Sequence, residues 1–291
     1  MIATMLIGGL GNQMFQYAAG RALALRHGTE LTLDLSWFEK EGHGINRSFE
    51  LDKLQIEGVR PQSSNAIRLM LARRPAKVFQ AISGWNVARE RSLAYDPAFE
   101  RMPDQTYLIG YWQSWRYLEA VAQQVWTELQ PGLPLSSTSN RMKDAMLRGA
   151  SVSLHIRRGD YVSAPQTSEF HGVLDLEFYR CAIDALQKRY DGLKFFLFSD
   201  DLDWCRAQFE PLKLDLTYMD FNRGADSWQD LYLMASCRHS IVANSSFSWW
   251  GAWLADHAPD RDNRQVIAPR RWFAGADVPV EDRCPPSWLC L

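Results

Sequence analysis

Between residues 151 and 268 the chain alternates apolar runs with amphipathic ones, and this alternation restricts the fold more than any other feature. Residues 151–156 read as a strand, 176–190 as a helix, and 194–198 as a strand that is wholly apolar after Lys194. A short helix over 202–209 stops before Pro211. A helix over 228–235, a strand over 240–243, a helix over 246–255 and a last strand over 265–268 follow. Strands separated by helices pair in parallel through right-handed crossovers. Sheets of that kind bind their ligands at the carboxyl ends of the strands.

The first half follows the same logic. Residues 3–7 read as a strand, 8–11 as a glycine loop, and 12–27 as a helix with Phe15, Ala18, Ala19, Ala22 and Leu23 on one face. Gly28 stands where a left-handed cap belongs, and Arg21 and Arg26 lie toward the helix's negative end. Residues 30–35 alternate as a second strand; 65–77 are helical and basic, with Arg68, Arg73 and Arg74 on a solvated face or near an anionic acceptor. Residues 108–111 read as a strand and 115–129 as a helix ended by Pro131. The Pro, Gly and Ser content of 131–140 marks a linker, and a helix over 141–148 leads into the second half. The expected fold is therefore α/β, two Rossmann-like domains facing a cleft, divided as 1–140 and 141–291.

A chain of 291 residues with 46% hydrophobic and 23% charged residues can bury two such cores. A net charge of -2 argues against nucleic-acid binding by long-range attraction, so an anionic ligand must meet a local group of cations. The cysteines Cys181, Cys205, Cys237, Cys284 and Cys290 lack paired CxxC spacing. They read mostly as buried small hydrophobes in a reducing compartment and not as metal ligands. No basic region precedes the short apolar start, and no stretch approaches the roughly 20 apolar residues of a spanning helix. The expectation is a cytoplasmic protein without a transmembrane segment, touching the inner membrane face peripherally where its acceptor is lipid-linked.

Four strings carry chemistry. SLHIRRGDY at 153–161 ends a strand, and its His155, Arg157 and Arg158 supply a ring donor and two guanidinium forks suited to phosphate oxygens. Strand alternation sends Arg157 and Arg158 to opposite sides, so Arg157, which shares a face with His155, is the preferred phosphate ligand. Arg158 then braces the loop by pairing with Asp160. In IVANSSFSWWGAWL at 241–254 a strand meets Asn244, Ser245 and Ser246 before a helix opening on Phe247. The residues at that turn cap the helix, bind an anion on its free N–H groups, or do both. Trp249, Trp250 and Trp253 pack the helix on the sheet.

FFLFSDDLDW at 195–204 releases Asp200 and Asp201 beyond a buried strand, where a carboxylate can accept the adjacent N–H groups of guanine. Asp201-Leu202-Asp203 is also a DxD string, but with arginine at hand to neutralise a diphosphate no metal is needed. GGLGNQMFQYAAG at 8–20 offers Gly9 and Gly11 for close backbone approach, and Asn12 and Gln13 as neutral amides for sugar hydroxyls or phosphate. Met14 occupies the third glycine of a dinucleotide fingerprint, which counts against a nicotinamide cofactor.

Taken together, GGLGNQMFQYA, HIRRGDYV, FSDD and NSSFSWWGAWL resemble the motifs of the galactoside α-1,2-fucosyltransferase family, in order and spacing, across nearly the whole chain. HxRRxD is shared with α-1,6- and protein O-fucosyltransferases; the other long strings are more specific. The resemblance implies a GT-B-like fold with an acceptor-side N-terminal domain and a GDP-fucose-binding C-terminal one. It further implies inverting, metal-independent transfer of L-fucose from GDP-L-fucose to the 2-hydroxyl of a β-galactoside, with no cofactor. By motif match Arg157 contacts the diphosphate, His155 lies near guanine, and Asp200 or Asp201 reads the base. Ser245 and Ser246, with Asn244, Phe247 and Arg158 around them, hold donor phosphate or sugar, and Asn12 faces fucose and acceptor. For a general base, Asp160, Glu169, His171 and Asp34 stay open.

Overall fold

The computed structural model describes residues 1–39, 47–56, 59–62 (backbone alone), 84–159, 161, 169, 172–259, 263–275 and 281–291. They divide into two units, Met1–Leu133 with Glu281–Arg283, and Pro134–Val280 with Cys284–Leu291. The division falls inside the Pro- and Ser-rich stretch, seven residues ahead of position 140. The first helix of the second unit begins early, because the Ser136 hydroxyl accepts the Ser139 N–H at 3.1 Å and caps it.

In the first unit the elements are β1 (Ile2–Met5), α1 (Leu10–His27), β2 (Leu31–Asp34), β3 (Val59–Gln62), β4 (Asn86–Arg89), β5 (Thr106–Ile109) and α2 (Ala122–Glu128). The sheet runs in the order β3-β2-β1-β5-β4, all pairs parallel. Helix α1 lies close against it: a Cβ on Gly20 would come within 2.8 Å of Leu31 and 3.2 Å of Thr4. The helix ends on Gly28 in the left-handed region, φ 60° and ψ 37°, as expected of that residue. Arg21 is tied down by Glu128 at 2.6 Å, whose buried carboxylate also takes the Tyr17 hydroxyl at 2.5 Å.

Three expectations need correction here. The last two residues of the glycine loop, Leu10 and Gly11, already belong to α1. The strand expected at 108–111 begins two residues earlier and ends at Ile109. The single helix expected over 115–129 is two short 3-10 turns, Trp115–Tyr117 and Glu119–Val121, and only then α2. Leu118 and Val121, at φ -115° and -125°, break the ladder, and the aromatic and β-branched residues there have little helical preference to resist this. The basic segment 65–77 lies outside the described residues.

The second unit comprises α3 (Ser137–Leu147), β6 (Ser151–Ile156), α4 (Leu176–Gln187), β7 (Lys194–Ser199), α5 (Leu202–Phe209), β8 (Leu216–Tyr218), α6 (Trp228–Ser236), β9 (His239–Ile241), α7 (Ser246–Asp256), β10 (Val266–Ala268) and β11 (Leu289–Cys290). Its sheet order is β11-β10-β9-β6-β7-β8, again parallel throughout. The chain starts at the centre with β6, runs outward to β8, then crosses back to β9 and continues the other way. Order therefore reverses between β6 and β9, the place where doubly wound sheets leave a crevice for ligands.

All six residues of β6 are buried. Trp249, Trp250 and Trp253 are at most 2% exposed and pack α7 as expected. Arg264, its side chain 5% exposed, pairs with Asp256 and donates to the carbonyls of Cys237, Arg238 and Ala252. It ties the end of α7 to β9. Of the five thiols only Cys205 and Cys237 are buried, fewer than expected. Among the described residues no helix is long and apolar enough to cross a membrane.

Candidate active site

Strand β6 stops at Ile156, so Arg157 and Arg158 follow it and strand alternation does not govern them. Carboxylates beyond the neighbouring β7 separate them instead. Asp200 Oδ1 accepts the backbone N–H groups of Arg158 at 2.9 Å and Gly159 at 3.0 Å, and its Oδ2 pairs with Arg157 Nη1 at 2.9 Å. A Cβ on Gly159 would stand 2.7 Å from that carboxylate, so only glycine lets the loop sit this close. Arg158 pairs with Asp201 at 3.1 Å and stacks 4.0 Å over the Trp204 ring. It braces the loop as expected, but against Asp201; Asp160 lies outside the described residues. Asp201 also caps α5 through the Trp204 N–H at 3.2 Å, and Asp203, 99% exposed, pairs with Arg206. The two ends of the DxD string thus have separate structural tasks.

Electrostatics follow from this packing. Burial pushes the Asp200 carboxyl up, but Arg157 and the Gly159 and Arg158 N–H groups outweigh it and hold the pKa below the ordinary value. His155 is 6% exposed, with its ring 6.2 Å from that of Phe247. Burial, opposed by Asp200 and reinforced by Arg157, pushes its pKa down to about 4, so the ring is neutral near pH 7. Among the described residues its Nδ1 has no hydrogen-bond partner.

Across the reversal point, α7 begins without help from its own sequence. Its N-cap Ser245 has extended backbone but makes no side-chain cap, and no acid lies in the first turn. Helices α3, α4 and α5 by contrast are capped by Ser136, Asp175 and Asp201. Ser246 and Phe247 are half-buried. A helix start without a side-chain cap or a first-turn acid favours an anion. Asn244 Nδ2 donates to the carbonyls of Gly172 at 3.2 Å and Trp272 at 3.3 Å, joining two loops.

One further acid at this sheet edge carried no motif. Asp230 is in the first turn of α6, which follows the carboxyl end of β8. Burial, opposed by an Asn222 hydrogen bond, raises its pKa to about 7. A buried carboxyl poised at neutrality is a mark of functional sites; only its place between a strand and a helix could have suggested it from sequence.

The first unit repeats the pattern at its own reversal point, between β1 and β5. Helix α1 starts on Gly9 with no side-chain cap and no acid in its first turn. Gly8 has φ 79°, and a Cβ there would stand 2.6 Å from Asn12 Nδ2, while one on Gly9 would stand 3.5 Å from the Arg47 guanidinium. Asn12 Oδ1 accepts from Gln113 Nε2 at 2.7 Å, and Gln113 Oε1 accepts from Arg283 Nη1 at 2.6 Å. Just before Gln113, the buried Trp112 holds a left-handed φ of 54°. The Glu90 carboxylate maintains this strained turn by accepting the N–H groups of Tyr111 at 2.6 Å and Trp112 at 3.0 Å. Gln113, Arg283 and Glu90 were not singled out from sequence.

Two expectations about this loop change. Gln13 is fully buried and donates to the carbonyls of Gly8 and Ser48 while accepting from Glu50, so it anchors the loop and leaves no amide for a sugar. Asp34 accepts the Ser36 N–H at 2.9 Å and the Tyr107 hydroxyl at 2.5 Å, a structural engagement. Glu169 is exposed, and His171 lies outside the described residues. Among the described residues no three His, Cys, Asp or Glu side chains are grouped to hold a metal ion.

Comparison with known proteins meets this geometry. The chain is 32% identical to an alpha-1,2-colitosyltransferase of Escherichia coli, over 99% of this chain and 98% of that one. It is 31% identical to the Escherichia coli O-antigen biosynthesis glycosyltransferase WbnK, over 93% and 94%. A galactoside alpha-(1,2)-fucosyltransferase 1 of Ateles belzebuth is 26% identical over 62% of this chain and 54% of that protein. The solved structure of NodZ alpha-1,6-fucosyltransferase soaked with GDP-fucose matches with a TM-score of 0.52 at 18% identity, covering 87% of this chain and 92% of that one. A likeness of that order shows the fold, which is α/β and GT-B-like. Residues 93–267, which include the HIRRGD loop, both carboxylates and the start of α7, match glycosyl transferase family 11, and the chain belongs to that family.

Proposed function

We propose that this glycosyltransferase moves L-fucose from GDP-L-fucose to the 2-hydroxyl of a β-galactoside, with inversion at the anomeric carbon and without a metal or other cofactor. The observation that carries the reading is the Arg157 guanidinium, held by Asp200 just beyond β6, with the start of α7, which has no side-chain cap, following the neighbouring β9. Both point positive charge at the sheet's ligand edge, where a departing GDP gathers negative charge as the sugar becomes oxocarbenium-like. Arg157 and the first N–H groups of α7 stabilise that charge. Neutral His155 offers a ring hydrogen bond near the base without adding a cation, and Asp230 is a second group able to meet guanine. Asn12, held by Gln113, faces donor sugar and acceptor. An O-antigen or related surface glycan, lipid-linked at the cytoplasmic membrane face, is the acceptor class, in keeping with the WbnK likeness.

The likeness to the colitosyltransferase supports one second reading, GDP-colitose as donor. Purified enzyme is incubated with either donor and a panel of β-galactosides, with and without EDTA, and the product linkage is read by NMR. Fucose α-1,2-linked to galactose, formed equally with EDTA, is the expected result. Turnover of GDP-colitose alone, an α-1,6 product, or strict metal dependence would overturn the corresponding part.

A further inference from the structure

The left-handed turn after β5 fixes one half-buried side chain, Gln113, from both sides. Ahead of it, both oxygens of the Glu90 carboxylate are occupied: Oε2 accepts the Tyr111 N–H and Oε1 the Trp112 N–H. Glu90 comes this near because Gly110 has no side chain; a Cβ there would collide with that of Glu90. The Trp112 ring, 1% exposed, is wedged 6.0 Å from that of Phe99 and 5.4 Å from that of Tyr117. Behind Gln113, the Ser114 N–H closes on the Trp112 carbonyl at 3.0 Å, and the Ser114 hydroxyl caps the 3-10 turn that follows.

Hydrogen-bond polarity then runs one way through Gln113. Arginine is a donor only, and Arg283 Nη1 donates to Gln113 Oε1 at 2.6 Å. The Gln113 amide must therefore turn its amino end to Asn12, and Asn12 must answer with Oδ1, at 2.7 Å. The Asn12 amino end is left on the side of Gly8, where a Cβ would stand 2.6 Å from Nδ2. An isolated asparagine can present either end of its amide; here a guanidinium one side chain removed decides which. Arg283 itself is 3% exposed. Its neighbour Asp282 accepts the Tyr95 N–H at 3.0 Å and pairs with Arg116 at 3.3 Å, which pins the segment.

We propose that, given the place of Asn12 at donor sugar and acceptor in the function above, Gln113 is a positioning residue: oriented by Arg283, it holds the Asn12 amide in the one orientation that transfer requires. Gln113 acts through Asn12, and Glu90 keeps it in reach.

A double-mutant cycle on the intact enzyme tests this, run with whichever GDP-sugar the wild type turns over, so that an error in the donor leaves the cycle readable. Gln113→Glu keeps the side-chain length and the acceptor for Arg283 but has no N–H for Asn12, whose amide must then turn over and donate. Its denaturant midpoint is expected to be unchanged or higher, while kcat/KM falls about 10²-fold, the scale of loss from a misplaced group. Asn12→Ala should lose a similar factor. The double variant should lose no more than the larger single loss, in place of the roughly 10⁴-fold to which independent sites would multiply. Gln113→Met, which makes neither bond, should fall as far and carries the test where the charged variant does not fold. Near-normal turnover by either Gln113 variant, or losses that multiply in the cycle, would overturn the role of Gln113. A silent Asn12→Ala would overturn it together with the place proposed for Asn12.

Discussion

Replacing Asp230 with Asn isolates the consequence of burying one carboxyl. Burial raises the Asp230 pKa to about 7, against about 3.9 in an unfolded chain. The native state therefore keeps a proton that the unfolded state has already released, and the associated stability is full below about pH 4 and is lost as pH rises through 7. About three units at ~1.36 kcal/mol each set a total near 4 kcal/mol, of which roughly 2–3 falls between about pH 5 and pH 8. Asn keeps the shape and still accepts the Asn222 N–H, which reaches Asp230 at 2.7 Å, but has no proton to lose. His155 and His239, both pushed down to about 4, act with the opposite sign. Their stability is present above about 6.5 and is lost as pH falls toward 4. A raw pH profile mixes these groups, so the quantity to measure is the stability difference between variant and wild type across that range, by urea or thermal unfolding. Asp230→Asn should gain on the wild type by about 2–3 kcal/mol over the interval. A difference that stays constant with pH would refute a raised native pKa.

Other consequences are as direct. Arg157→Ala should cut transfer by ~10²–10³ with little change in Tm, because its ion pair is about a quarter exposed and such pairs contribute about 1 kcal/mol or less; a variant with near-normal kcat/KM in a GDP-release assay would remove Arg157 from the mechanism. Gly8→Ala forces a side chain onto a φ of 79° and into the Asn12 amide, which should cost about 1–2 kcal/mol in chemical unfolding and lower activity together with stability. Arg264→Met leaves the Asp256 carboxylate without its arginine partner and should cost about 3–5 kcal/mol, seen as a lowered denaturant midpoint.

The parallel α/β plan was legible because a parallel sheet writes itself as apolar runs of strand length separated by helical periods. β7 satisfies that rule over Phe195–Phe198, while β6 is buried throughout although Ser151, Ser153 and His155 interrupt its apolar residues. Strands β8 and β11 escaped it. They have three and two residues, too few for a period, and owe their state to neighbours already in place. The HIRRGD, SDD and NSS strings were visible as chemistry, but their division of labour was not. Asp200 also fastens the arginine loop, a task set by the register between β6 and β7 and not visible in the string. Gln113 and Arg283 are 170 residues apart and meet only through tertiary structure.

The return of Glu281–Arg283 to the first unit has a consequence for synthesis. Domains generally fold in order as they leave the ribosome. Here the first unit cannot complete its Asn12–Gln113–Arg283 chain until the whole stretch from Pro134 to Val280 has also been translated. Its glycine loop must therefore mature after most of the second unit has left the ribosome.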